Sequence, residues 1–155
     1  SVLGARPGFT SVVHTHSVYA TALGVAGVNI LPVGRRGAPF WPHVPICEFD
    51  GQIDTRERGR VLVDALGEGC AVVLKNHGTV VAADSVENAA NLAFALEETA
   101  QMQWISSGVG TPVGMSRAEA ARTMSTERRS EYFTFTWQHY AAKDPRPELD
   151  DPGTS

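Results

Sequence analysis

An α/β fold is the expectation from this sequence, and two kinds of signal predict it. Short β-branched runs, TSVVHTH at 10–16 and AVVLKN at 71–76, have the length and composition of strands. Between and after them stand three helix starts with capping-box spacing, Asp54/Glu57, Asp84/Glu87 and Ser116/Glu119, each ahead of a stretch that reads as a helix. The composition fits one compact domain: 43% of the 155 residues are hydrophobic and 19% charged. A chain of this length buries roughly 70% of the surface its unfolded form exposes. Folding therefore needs no disulfide or structural metal, and any metal site has to be read as functional.

The elements follow in order. The chain starts at Ser1 and enters a strand pattern at Thr10, which leads us to expect a longer natural polypeptide joined here partway through a domain. Thr10–His16 is the first strand, and Ser17 is placed to cap a short helix over Val18–Val25 that Gly27 ends. Val28–Val33 reads as another strand, closed by a turn at Gly34, Arg35, Arg36 and Gly37. Pro39, Pro42 and Pro45 make Ala38–Gly51 an irregular loop, with Phe40, Trp41 and His43 as an aromatic wall. Asp54 with Glu57 starts a helix over Thr55–Leu66. Ala71–Asn76 is a strand, His77-Gly78 a tight turn and Thr79–Val81 the returning strand. Asp84 with Glu87 opens a long helix to about Ser106, in which Leu92, Leu96, Thr99 and Met102 recur at helical spacing. Ser116 with Glu119 starts a short helix, and a last one carries Tyr132–Tyr140. Pro145, Pro147 and Pro152 end regular structure, so the domain is expected over 1–142 and a mobile tail over 143–155.

Thirteen Lys and Arg against seventeen Asp and Glu give a net charge of −4, with arginines scattered rather than striped, which argues against a nucleic-acid surface. No apolar run approaches the roughly 20 residues of a membrane span, and no basic-then-apolar leader opens the chain. A soluble, cytoplasmic protein is the expectation. Cys47 and Cys70 lack CxxC spacing and read as two buried thiols.

The chemistry lies in the histidines. His14 and His16 are two apart on a strand, so they leave one face with Cβ atoms roughly 6.5 to 7 Å apart. An ion bound at roughly 2.0–2.1 Å from each ring nitrogen satisfies both. His77 ends an independent strand and precedes a glycine that permits close approach, making it the candidate third ligand. Three histidines with an open position are the pattern of a catalytic Lewis-acid site. Taken alone, HxH is also what an ordinary pair of strand histidines looks like.

At VVHTHSVYATALG and LKNHGTVVA the sequence resembles the class II aldolase/adducin family, whose metal-binding signatures are an HxH ending one strand and an NHG ending a later one. The order of the motifs, the helix between them and the long helix after the second agree, and the resemblance spans about Arg6 to Ala142. It implies a three-layer α/β/α domain with a mostly antiparallel central sheet. It also implies a divalent metal on His14, His16 and His77, most often zinc, with manganese, iron or cobalt in some members. The implied assembly is a homotetramer with active sites at subunit interfaces. The implied activity is that of a metal-dependent C–C lyase on a small-molecule substrate, stabilising an enediolate during retro-aldol cleavage or decarboxylation of a hydroxylated acid or sugar derivative. A sugar-phosphate 4-epimerase and a non-catalytic adducin-like module are the alternatives within the family. The family's acid/base carboxylate and phosphate-holding residues lie upstream of the HxH strand, which again points to a longer polypeptide.

Other residues have weaker claims. His43 is a candidate for touching a substrate carboxylate, and with Phe40 and Trp41 it leans toward a flat aromatic substrate. Tyr140, beside His139, stands where family members often send a proton-donating tyrosine into a neighbour's site. Arg35 and Arg36 read as solvated turn residues before anion ligands. Lys75 has no need to form a Schiff base where a metal supplies the electron sink. Glu97 and Glu98 read as solvated or interfacial positions on the long helix.

Overall fold

The computed structural model describes residues 2–48, 53–125, 137–139 and 142–143. A short helix α1 (Val2–Ala5) precedes β1 (Ser11–Thr15) and α2 (Val18–Val25), followed by a 3-10 helix (Arg35–Phe40), β2 (Ile46–Cys47) and α3 (Arg56–Leu66). β3 (Ala71–Leu74), β4 (Gly78–Ala83), the long α4 (Val86–Ser107) and α5 (Arg117–Met124) complete it. The strands lie in the order β1-β4-β3-β2. β4 runs antiparallel to both β1 and β3, and β2 runs parallel to β3, so the sheet is mixed.

Three layers result from the alternation of side chains along the inner strands. Ala71, Val73, Val81 and Ala83 face α2 and α4, joining Ala20, Leu23, Leu92, Leu96 and Ala100 in one core. Val72, Leu74, Val80 and Ala82 face the other way, against Leu62 and Leu66 of α3 and Val2 of α1. Every residue of β3 and β4 is buried, which is why these strands read as unbroken apolar runs rather than alternating ones. Gly24 of α2 lies directly over Val73; a Cβ there would fall 2.6 Å from Val73 Cγ1, so the glycine sets how closely this helix approaches the sheet.

Several expected elements are corrected. Val28–Val33 does not form a strand: only Ile30 pairs, in an isolated bridge to Val44. Gln103 of α4 takes the place of a neighbouring strand, its amide accepting from Leu31 N at 2.7 Å and donating to Asn29 O at 3.0 Å, while Pro32 has no N–H to offer. The turn at Arg35–Gly37 is the start of the 3-10 helix, and the proline-rich loop contains β2. Pro45 is compatible with that strand because the bond there uses its carbonyl, which accepts from Val73 N at 2.9 Å.

Two expected capping boxes do not form, and the cap moves by one residue. Thr55, not Asp54, caps α3 by accepting from Arg58 N, and Asp54 instead pairs with the Arg58 guanidinium at 2.7 Å. Ser85, not Asp84, caps α4 by accepting from Asn88 N, and Asp84 accepts from the Asn88 side chain. In both cases the hydroxyl residue adjoins the first helical turn while the aspartate stands one position too far upstream. The Ser116/Glu119 box of α5 is present with both reciprocal bonds. Of the expected last helix, residues 137–139 are helical, and Tyr140 and the tail beyond Lys143 lie outside the described residues.

Candidate metal centre

β1, β2 and β3 all run toward one end of the sheet, where β4 begins. His14 stands on β1 opposite Val80. α3 packs on β2 and β3, which leaves the outward-facing residues of β1, Val12 and His14, exposed. His16 lies one residue beyond the strand, in the two-residue link to α2, rather than on the strand as expected. His77 ends the turn between β3 and β4, closed by His77 N donating to Leu74 O at 3.1 Å and by Asn76 in a left-handed conformation, φ 60°. Asparagine tolerates that region better than most residues, which gives the Asn of the NHG motif a conformational role.

The three imidazoles converge. Their ring centroids lie 4.8 to 5.1 Å apart, and one ligand atom from each falls within 4.8 Å of the others. Nε2 of His14 and Nε2 of His16 are 3.1 Å apart. Two nitrogens on a tetrahedral ion at 2.0–2.1 Å stand about 3.3 Å from one another, so this pair is already near bonding separation for a zinc-sized ion. His14 Nδ1 lies 2.9 Å from the Thr79 carbonyl, to which it donates when protonated there, leaving Nε2 as the ligand atom. Gly78 makes the convergence possible. A side chain on it would meet the Thr15 carbonyl oxygen, His16 Cδ2 at 3.0 Å and His14 Cε1 at 3.3 Å.

Burial pushes the His77 imidazole below its ordinary value of 6.5, and the neighbouring charges of His14 and His16 push it the same way. The neutral ring is the form that a metal ion would bind. A depressed folded value means that protons bind the unfolded chain first: the stability His77 contributes is present above pH 6.5 and lost as the pH falls through its folded value. Zinc occupancy is expected to follow the same direction, full above about pH 6.5 and falling below it as protons compete for the imidazoles. Zinc titrations at a series of pH values check this; affinity that rises on acidification would contradict it.

The remaining candidates fall elsewhere. His43 is exposed and precedes β2, which runs toward the triad, so within one chain it sits toward the opposite end of the sheet. The Pro39 carbonyl, 3.7 Å from Cys70 Sγ just before β3, lies at that same far end. Phe40 is buried in the core and does not line a wall, whereas Trp41 is partly exposed with the Arg117 guanidinium 5.6 Å from its ring. Arg36 pairs with Glu98, and Lys75 with Glu48 at 2.6 Å. Glu97, expected at a solvated or interfacial position, is half-buried and bonded within the chain: its carboxylate accepts from Tyr19 N at 2.9 Å and Ala20 N at 3.0 Å. Sequence reasoning missed that contact and the Thr79 carbonyl, and neither carries a sequence signal. Cys47 is buried as expected, whereas Cys70 is half-buried, and the two form no disulfide with each other. Among the described residues no helix is long and apolar enough to cross a membrane.

The chain is similar to known proteins in sequence and in fold. Residues 1–104 match the Class II Aldolase and Adducin N-terminal domain. The chain is 28% identical over 137 residues to the decarboxylase NovR of Streptomyces niveus, covering 88% of this chain and 50% of that protein. It is 31% identical over 115 residues to the L-ribulose-5-phosphate 4-epimerase UlaF of Salmonella paratyphi B, covering 66% and 50%. It thus spans about half the length of the curated relatives it matches. Among solved structures, an L-fuculose 1-phosphate aldolase superposes with a TM-score of 0.71 at 24% identity, over 85% of this chain and 59% of that one, which shows a shared fold. A layered α/β fold, an HxH and an NHG brought to one sheet end, and a family match over two-thirds of its length place this chain in the class II aldolase/adducin family.

Proposed function

We propose that this chain carries the metal centre of a divalent-metal-dependent C–C lyase, with zinc on His14, His16 and His77, acting on a small hydroxylated acid or sugar-derived substrate. The observation that carries the reading is the 3.1 Å approach of two Nε2 atoms beside a third imidazole. A divalent ion there supplies Lewis-acid stabilisation for the electron pair left when a C–C bond breaks. The chain's own residues set the conditions for it. His14 is oriented by the Thr79 carbonyl, and burial and its two neighbours lower the His77 pKa, which favours the neutral ring. The open, exposed side of His14 and His16 leaves room for a substrate with two adjacent oxygens. NovR, a decarboxylase, and the fuculose-phosphate aldolase fold both suit this chemistry; the resemblance to UlaF supports a 4-epimerase as the second reading.

In this reading the working protein is a cytoplasmic homotetramer. Tyr140 is then the proton donor, reaching a neighbouring subunit's site. Exposed apolar side chains on and after α4, among them Met102, Trp104, Ile105 and Val109, favour association with a second copy. Light scattering on the complete polypeptide is expected to give the tetramer mass; a monomer at micromolar concentration contradicts it.

The reaction is tested on the full-length, zinc-loaded protein. A hydroxylated aromatic acid and a hydroxyaldehyde phosphate are offered in turn, with CO₂ and carbonyl fragments measured separately. CO₂ release identifies a decarboxylase, an aldehyde fragment an aldolase, and an epimeric product without fragments the 4-epimerase. Turnover is expected to vanish for the analogue lacking the oxygen next to the leaving group, since charge can no longer reach the metal. An analogue that reacts equally fast would overturn the mechanism.

A further inference from the structure

We propose that Glu97 is a positioning residue of the metal centre: by holding the first turn of α2 it determines where His16 stands. The proposal rests on the metal reading above and assigns a role to a carboxylate twenty residues beyond the NHG motif.

His14 and His16 are anchored in different ways. His14 belongs to the β1–β4 ladder and its ring is bonded to the Thr79 carbonyl. His16 lies outside the ladder, and among the described residues its ring is bonded only to His14, at 3.1 Å, between the two atoms that would face the ion. Its position therefore depends on the backbone on each side. On one side Thr15 is fixed in register with Thr79, and its hydroxyl lies 2.9 Å from that of Thr79. On the other side the chain enters α2 after Ser17.

Ser17 occupies the N-cap position with an extended backbone but makes no cap bond; its hydroxyl lies 2.8 Å from that of Thr15. Two N–H groups of the first turn are instead taken by Glu97, one carboxylate oxygen on Tyr19 and the other on Ala20. A negative charge at a helix N-terminus is favourable in its own right. Glu97 is mounted on α4 between Leu96 and Thr99, both buried, so the anchor belongs to the rigid core. The link carrying His16 is thus clamped between the strand and a carboxylate on α4, the helix packed beside α2. Loss of the clamp frees α2's first turn to shift, and His16 shifts with it.

The test compares wild type, Glu97→Gln, Glu97→Asp and Glu98→Gln. Glutamine keeps the shape but has a single acceptor oxygen, and aspartate keeps the charge but draws it back by one methylene. Zinc affinity by competition titration and the visible absorption of the cobalt-loaded proteins report the coordination geometry, while circular dichroism and thermal melts report the fold. Both Glu97 substitutions are expected to leave the helix content intact, weaken zinc binding by about tenfold, as loss of outer-sphere support does elsewhere, and change the cobalt spectrum. Glu98→Gln is expected to bind as wild type. Unchanged zinc affinity and spectrum in both Glu97 variants, even with lowered melting temperatures, would make Glu97 a structural cap only and overturn the proposal. Failure of the wild type itself to bind zinc would instead overturn the metal reading on which it rests.

Discussion

Replacing His16 by alanine is expected to abolish stoichiometric zinc binding while leaving the fold in place. Loss of outer-sphere partners costs 10- to 100-fold in metal affinity, so loss of a ligand itself should exceed about a hundredfold. His16 is exposed, lies outside the strand ladder and fills no part of either core, so its removal should change folding stability by less than about 0.5 kcal/mol. Elemental analysis of the purified protein and its His16→Ala variant, alongside denaturant unfolding of each, separates the two effects. Equal metal content in both would refute the assignment of the triad.

Gly78→Ala is expected to damage both site and fold. Gly78 pairs with Leu74 across β3 and β4, and its missing side chain leaves space for the Thr15 carbonyl and the rings of His14 and His16. The obstacle includes backbone, which cannot rotate aside as a flexible side chain can. Relief requires β1 to move away from β4 near the Thr15–Thr79 pair, and this carries both imidazoles out of alignment. Overpacking of this kind costs about 1–3 kcal/mol, and zinc affinity should fall with it. Combining it with His16→Ala removes the ring from the clash but not the Thr15 oxygen, so the stability loss should persist. Gly59, in α3 with open space around it, is the control: Gly59→Ala should stabilise slightly through helix propensity. A Gly78→Ala protein as stable as wild type, with undiminished zinc affinity, would show that the close approach of the two strands is not required.

Much of this was legible along the chain because the signals are local. β-branched composition marks β1, β3 and β4, the turn between β3 and β4 carries its own histidine, and α4 repeats its apolar residues over 22 positions. Where local signals competed, the sequence misled. Val28–Val33 has strand composition, yet Gln103, more than 70 residues away, takes the polar groups that a strand partner would have taken. Asp54 and Asp84 have the right spacing to Glu57 and Glu87, but Thr55 and Ser85 stand nearer the helices and win the cap. β2 is hidden by prolines because its pairing needs only the carbonyl of Pro45.

The amino-acid order alone picked out the three imidazoles that converge, since HxH and NHG each name their histidines and the glycine that lets them approach. It also determined the layered α/β class, through strand runs separated by helices. It took the packed fold to place His16 off the strand, to set the Thr79 carbonyl against Nδ1 of His14, and to put His43 toward the other end of its own sheet. It alone showed Glu97 at the start of α2, where the bonded groups are 77 and 78 residues apart. The reason is physical. A side chain's chemistry and its preference for strand or helix are properties of a short segment. The hydrogen-bond partner that a backbone group finds depends on which distant element the packed core brings beside it.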